Sequence, residues 1–285
     1  MAKARLAEAA GVVAELAGWL EARGVRPVFD TETAVLVGLP LDRPTWNRDD
    51  LPNACDLVVV LGGDGTLIGM AGRVANAGVD IPILGVNFGS LGFLTEITLP
   101  ELLPSLDSVL GGTAQIEARL MLRSQTLREG SVFLDRLALN DVVITKGALS
   151  RIIDLGVAIG DQPVMRVRAD GLIVATPTGS TAYNLAAGGP IVHPAVDAVL
   201  LTPIAPHMLT NRPIMVPAGS EIRIRPAEGA SNDELFVTID GQTGHPMQAD
   251  DVIVVQRASR AVQLVRAATR TYFDVLREKL KWSER

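Results

Sequence analysis

The sequence predicts an open, mostly parallel α/β domain followed by an all-β domain, with a C-terminal helix returning to the first. Two observations carry this. The run Asp56-Leu57-Val58-Val59-Val60-Leu61 is apolar without alternation, as in a parallel strand covered on both faces, and it ends in Gly62-Gly63-Asp64-Gly65-Thr66. After about Thr98 the chain changes to short runs with period-two alternation, separated by turn residues. The expected domains are 1–97, with 268–285 packing back on it, and 98–267.

In chain order, Leu6, Ala9, Val13, Leu16 and Leu20 recur at intervals of three and four, which predicts an amphipathic helix over residues 4–23 that stops at Gly24. A short strand, Val25 to Phe29, follows. Leu67 to Ala77 reads as a helix and Ile81 to Val86 as a second buried strand, giving the strand, helix, strand alternation of an α/β sheet. An α/β domain usually opens with a strand, and this chain opens in a helix. The sheet therefore lacks an edge, or the natural start lies upstream. In the second domain the strand candidates include Leu139 to Thr145, Ile152 to Ile159, Glu221 to Arg225, Leu235 to Ile239, Val252 to Gln256 and Ala261 to Val265. Tyr272, Phe273, Leu276 and Leu280 return to helical spacing.

The 285 residues are 48% hydrophobic and 20% charged, enough for one large core or two smaller ones. A net charge of -6 argues against a broad basic face, so neither nucleic acid nor a membrane surface is an expected partner. Only Lys3, Lys146, Lys279 and Lys281 are lysines, so a phosphate site would lean on arginines, backbone N–H groups and a metal ion. Cys55 is the single cysteine, which excludes an internal disulfide and fits a reducing cytoplasm; it reads as a small buried hydrophobe. No apolar run approaches the ~18 residues of a membrane span. His193, His207 and His245 lack metal-site spacing and read as structural.

The glycine-aspartate loop lies between a buried strand and a helix, at the carboxyl edge where α/β sheets place ligands. Glycines there let backbone approach a pyrophosphate, and the helix N-terminus favours negative charge. It is neither a Walker A loop nor a dehydrogenase fingerprint. The alternative is that Asp64 or Thr66 only caps the helix.

Downstream lies Asp170-Gly171-Leu172, then Thr176-Pro177-Thr178-Gly179-Ser180-Thr181-Ala182-Tyr183-Asn184-Leu185-Ala186-Ala187-Gly188-Gly189-Pro190. With the loop, this stretch resembles the NAD kinase family, part of a superfamily that includes diacylglycerol and sphingosine kinases and 6-phosphofructokinase. Leu91 to Thr95, Asn140-Asp141, Pro206 to Pro213 and Asp240-Gly241-Gln242 add to a resemblance running from about residue 56 to the C-terminus. It implies phosphoryl transfer from ATP, or another donor such as polyphosphate, to the adenosine ribose 2′-hydroxyl of NAD.

The resemblance implies Asp64 as general base, with Gly62, Gly63 and Thr66 forming the phosphate loop beside it. It implies NAD contacts from Gly65, Asn140, Asp141, Arg151, Arg168, Asp170, Thr181, Ala182, Tyr183, Asn184, Leu185, Ala186 and Gln242. The family usually has Asn-Glu where this chain has Asn140-Asp141, so the carboxylate reaches one methylene less. Thr181 suits an adenine edge and Tyr183 offers a flat face to a ring; alternatively Thr178 and Ser180 form the turn and Tyr183 packs in the core. Mg²⁺ or Mn²⁺ is implied, held by donor phosphates and water rather than by protein ligands, and a homodimer or homotetramer is expected. The rival readings are a lipid kinase of the same superfamily and a dinucleotide sensor without turnover.

Overall fold

The structure, a computed structural model, describes residues 1–2, 9–38, 44–89, 91–147, 152–227 and 235–282. The chain forms two compact units, Met1–Ala118 with Val262–Arg285, and Arg119–Ala261. Two segments expected in the β domain belong to the first unit instead. One is the stretch from Thr98 to about residue 118; the other is Val262–Val265, which pairs in parallel with Pro82 and Ile83. Its alternating pattern suits either sheet, and only the pairing decides.

In chain order the first unit contains α1 (Ala9–Glu21), β1 (Phe29–Asp30), α2 (Thr31–Leu36), β2 (Thr45–Trp46), β3 (Val58–Gly62), α3 (Asp64–Ala77), β4 (Pro82–Asn87), β5 (Ile97–Thr98), α4 (Leu102–Leu110) and β6 (Ile116–Arg119). The second contains β7 (Leu122–Arg128), β8 (Ser131–Ala138), β9 (Asp141–Lys146), β10 (Ile153–Ile159), β11 (Gln162–Ala169), β12 (Gly171–Ala175), α5 (Tyr183–Ala186), β13 (Ala198–Ile204), β14 (Ile214–Pro217), β15 (Ile222–Pro226), β16 (Leu235–Ile239), β17 (Thr243–Met247) and β18 (Val252–Arg257). β19 (Val262–Val265) and α6 (Tyr272–Leu280) complete the first.

The sheet of the first unit has the order β3-β4-β19-β6, and β5 takes over beside β4 where β19 ends. β3, β19 and β5 all run parallel to β4. Leu61, Leu84 and Val86 pack with residues of α1 and α4. On the opposite face Gly85 admits α3: a Cβ there would run into Leu67 Cδ1. Beside β3, Ala2 makes an isolated parallel bridge to Leu61. A cavity of about 520 Å³ lies next to it, lined in part by Val13, Leu16, Leu20, Cys55 and Leu57. Cys55 is half-buried, its thiol donating to Leu51 O at 3.3 Å.

The second unit is a sandwich of two antiparallel sheets, ordered β11-β10-β15-β18-β7-β8 and β14-β13-β12-β9-β16-β17. Leu155, Val157, Ile224 and Ile253 from the first meet Val142, Ile144, Leu172 and Val237 from the second. β12 is buried at every position because its other face is also covered: Ile173 and Ala175 pack with Val143, Leu200 and Val192. The segment supplying that cover is the long Thr176–Pro190 motif and its continuation to Val192.

In the first unit the C-terminal segment is tied down by Glu101. Its carboxylate accepts from Thr98 N and Oγ1, from Thr269 Oγ1 and from Arg270 Nη1. Burial acts to raise its pKa, but these hydrogen bonds outweigh it and bring it down to about 2. A depressed carboxylate pKa stabilises the fold above the unfolded value, and that contribution is lost as pH falls toward about 2. Glu101→Gln is therefore expected to cost about 1–2 kcal/mol at pH 7 after solvent screening. The difference from wild type in urea unfolding should shrink between pH 4.5 and 2; a pH-independent difference would remove the ionic contribution.

Candidate active site

The first cluster is built at the carboxyl end of β3. Gly62 closes the strand, Gly63 is the N-cap in extended conformation (φ -115°, ψ -177°) and Asp64 is the first residue of α3. Gly63 O accepts from Thr66 N at 2.9 Å. The helix has no side-chain cap, so the reading of Asp64 as a simple cap does not hold. Its carboxylate turns instead to the Phe93–Thr95 loop: Oδ2 accepts from Phe93 N at 2.8 Å, and Oδ1 from Leu94 N at 3.1 Å, Thr95 N at 2.9 Å and Thr95 Oγ1 at 2.9 Å. Asn87 Nδ2 donates to the same Thr95 hydroxyl at 3.1 Å, so the end of β4 orients the loop that orients the aspartate. Oδ2, with one donor, keeps more accepting capacity than Oδ1.

Gly63 and Gly65 lack a structural reason to be glycine. Neither has a positive φ, and a Cβ on either would meet nothing within 4 Å. The backbone surface over this turn is open, as close approach by a phosphate requires. Gly92 is the opposite case, since a Cβ there would run into Asp64 Oδ1 and Thr95 Oγ1.

The second cluster lies in the sandwich, on the covered outer face of β9 and β12. Asn140 is half-buried and Asp141, opposite Ala175, is 4% exposed. Thr176 ties the motif to this pair: its N donates to Asn140 O at 2.9 Å, and its Oγ1 donates to Leu139 O at 2.6 Å while accepting from Gly179 N at 3.0 Å. Gly179 then rests on the Asn140 backbone so closely that a Cβ would overlap the carbonyl. Ser180 Oγ donates to Val192 O and accepts from Val192 N, closing the cover. A tight turn, Thr178–Thr181, leads into the single turn of α5.

The expected ligand residues divide by exposure. Tyr183 is 44% exposed, so it does not pack in the core; Ala186 and Gln242 are exposed, and Thr181, Ala182 and Leu185 are half-buried. Asn184 is fully buried and fully employed: Nδ2 donates to Ser180 O and Pro190 O, and Oδ1 accepts from Thr202 Oγ1 at 2.6 Å. It braces the turn and has no amide left to aim outward. Arg168 lies on β11, its guanidinium 3.8 Å from the Asp154 carboxylate that Arg166 holds with two bonds of 2.7 Å. Arg151 lies outside the described residues.

Two partners were not read from the sequence. Lys146 pairs with Asp170 at 2.7 Å, and Asp240 accepts the backbone N–H groups of Leu139, Asn140 and Asp141. The Asp240-Gly241-Gln242 stretch adds to the family resemblance, but nothing in it names a contact a hundred residues away. Among the described residues no group of His, Cys, Asp or Glu offers a cage for a metal ion. Donor phosphates and water would hold the divalent cation expected with a nucleoside triphosphate.

Three glycine substitutions separate these roles. Gly92→Ala and Gly179→Ala are expected to destabilise by about 1–3 kcal/mol, because backbone or a fixed carboxylate must move. Gly65→Ala, in open space inside α3, should be neutral or stabilising by up to ~1 kcal/mol. Urea unfolding of the three variants checks the order, and equal losses would refute it.

Comparison with known proteins matches both units. Residues 2–114 match the ATP-NAD kinase N-terminal domain and residues 139–267 the ATP-NAD kinase C-terminal domain. The chain is 49% identical over 275 residues to the NAD kinase of Geotalea daltonii, covering 96% of this chain and 94% of that one. It is 46% identical to the NAD kinase of Geobacter sulfurreducens, with the same coverage of 96% and 94%. Yeast NADH kinase, solved in complex with NADH, superimposes with a TM-score of 0.88 at 28% identity, covering 100% of this chain and 87% of that one. An NAD kinase from Archaeoglobus fulgidus in complex with ATP shares the fold, with a TM-score of 0.73 at 24% identity over 94% of this chain and 95% of its own. With both units matched and relatives near half identity along almost its whole length, the chain belongs to the NAD kinase family.

Proposed function

We propose that this chain transfers the terminal phosphoryl group of ATP to the adenosine ribose 2′-hydroxyl of NAD, giving NADP and ADP, with Asp64 receiving the hydroxyl proton. The observation that supports the site assignment is the pairing of an open backbone at Gly63 and Gly65 with a carboxylate held in one orientation by Phe93, Leu94 and Thr95. The 2′-oxygen attacks the terminal phosphorus, the bridging phosphorus–oxygen bond to the leaving diphosphate breaks, and the proton passes to Asp64. A carboxylate is a weak base for an alcohol. The loose transition state of phosphoryl transfer tolerates this, because alignment and offset of phosphate charge contribute more than early proton removal. A divalent cation, held by donor phosphates and water rather than by protein ligands, would offset the phosphate charge.

The turn of Gly62, Gly63 and Thr66 serves the phosphates, and Gly65, exposed in the first turn of α3, serves the dinucleotide. Asn140, Asp141, Arg168, Asp170, Thr181, Ala182, Tyr183, Leu185, Ala186 and Gln242 serve the dinucleotide, with Asn184 as the brace. Arg151 remains a partner for dinucleotide phosphates by resemblance. The hydroxyl-rich cover over β12 disfavours a lipid acceptor, and the retained Asp64 disfavours a sensor without turnover. A cytoplasmic setting and a homodimer or homotetramer belong to the same proposal, supported by the single cysteine and by family resemblance; no described helix is long and apolar enough to cross a membrane.

Asp64→Asn is expected to reduce NADP formation by several orders of magnitude while NAD binding persists. The check is purified protein incubated with ATP, Mg²⁺ and either NAD or diacylglycerol. Phosphorylation of the lipid alone, or undiminished turnover by the variant, overturns the reading.

A further inference from the structure

Around Asn140 and Asp141 two acidic side chains compete for one set of donors. Asp240 follows β16 with a left-handed backbone, φ 50°. Its Oδ2 accepts from Leu139 N at 2.8 Å, and its Oδ1 from Asn140 N at 2.8 Å and Asp141 N at 3.0 Å. Asp240 N donates back to Asp141 O at 2.9 Å. On the other side, Thr176 N and the bare Cα of Gly179 press on the Asn140 backbone. The turn is therefore gripped from both sides, and its three N–H groups all serve Asp240.

Nothing comparable is left for Asp141. Its side chain is 4% exposed and makes no hydrogen bond to any described residue. By strand alternation it shares a face with Val143 and lies beside Ala175 of β12. The cover contributes Thr176, Thr178 and Ser180, none of which is charged, and the end of β16 contributes Asp240. Among the described residues Asp240 is the charged group that acts on it. An ionised carboxyl so placed would be buried, unpaired and next to a like charge.

We propose that Asp240 is a positioning residue of the dinucleotide pocket: by taking every backbone donor of the Leu139–Asp141 turn it fixes that turn, and it leaves Asp141 to meet the dinucleotide as a neutral hydrogen-bond donor. The inference rests on the assignment of Asn140 and Asp141 to the dinucleotide site, and it reverses the accepting role that the sequence suggests for Asp141. Burial pushes the Asp141 carboxyl up and the Asp240 charge pushes it further, to about 7. Burial also raises Asp240, but there the three N–H donors pull the other way. Where a pair of carboxyls is divided in this way, the one without donors keeps the shared proton.

Isothermal titration of NAD into the full chain from pH 5.5 to 8.5 tests this. Wild-type affinity is expected to be level in acid and to fall about tenfold per pH unit above pH 7, where Asp141 must be reprotonated to bind. Asp141→Asn keeps the shape and a donor, so its affinity should be level throughout. Asp240→Asn removes the neighbouring charge; its affinity should be weaker overall, with the breakpoint moved below that of wild type. A purely structural Asp240 would weaken binding without moving the breakpoint. If Asp240→Asn does not fold, the wild-type and Asp141→Asn profiles decide alone. Wild-type affinity that is level, or that rises with pH, overturns the inference while leaving the proposed function standing. A wild type that binds no NAD at any pH overturns both.

Discussion

Three consecutive backbone N–H groups converging on a single carboxylate organise this protein twice. Asp64 gathers Phe93, Leu94 and Thr95 in the α/β unit, and Asp240 gathers Leu139, Asn140 and Asp141 in the sandwich. In both units the acid stands at the end of a strand and the loop it gathers is distant in sequence. A charge-assisted bond of this kind is stronger than a neutral one, and three in succession leave the gathered loop little freedom. The irregular backbone near the proposed chemistry is thus held without regular secondary structure.

The two carboxylates differ in what lies beside them. Asp64 is half-buried, and Oδ2 retains accepting capacity after meeting Phe93 N. Asp240, with one donor on Oδ2 and two on Oδ1, gathers the turn that carries Asp141, and its influence passes through that neighbour. The surrounding glycines divide by what they face. Gly92 and Gly179 are required by the approach of a fixed group, whereas Gly63 and Gly65 face open space.

Much of the architecture was legible because it rests on local pattern. The unbroken apolar run before Gly62 marked β3, alternation marked β10, β15, β16 and β18, and the spacing of Tyr272, Leu276 and Leu280 marked α6. What was illegible depends on pairing across long stretches of chain. Val262–Val265 looks like one more strand of the sandwich and is a parallel strand beside β4, which moves the return to the first unit from residue 268 to residue 262. The glycine-aspartate loop and the Thr176–Pro190 motif were visible as chemistry. The inward role of Asn184, the Lys146–Asp170 pair and the grip of Asp240 were not, because polar residue types alone do not say whether a side chain serves a ligand or its own backbone.

The Thr176–Val192 cover is held almost wholly from within: Thr176, Ser180 and Asn184 are buried and their polar atoms are bonded to backbone or to Thr202. Thr181 and Tyr183, which face outward, contribute little to that framework. In the proposed reading, ligand preference falls to Thr181 and Tyr183 while Thr176, Ser180 and Asn184 hold the same short peptide in place. If that reading holds, changing the outward members alone would retune the surface toward a different purine or a reduced nicotinamide, while the inward ones keep the peptide in place.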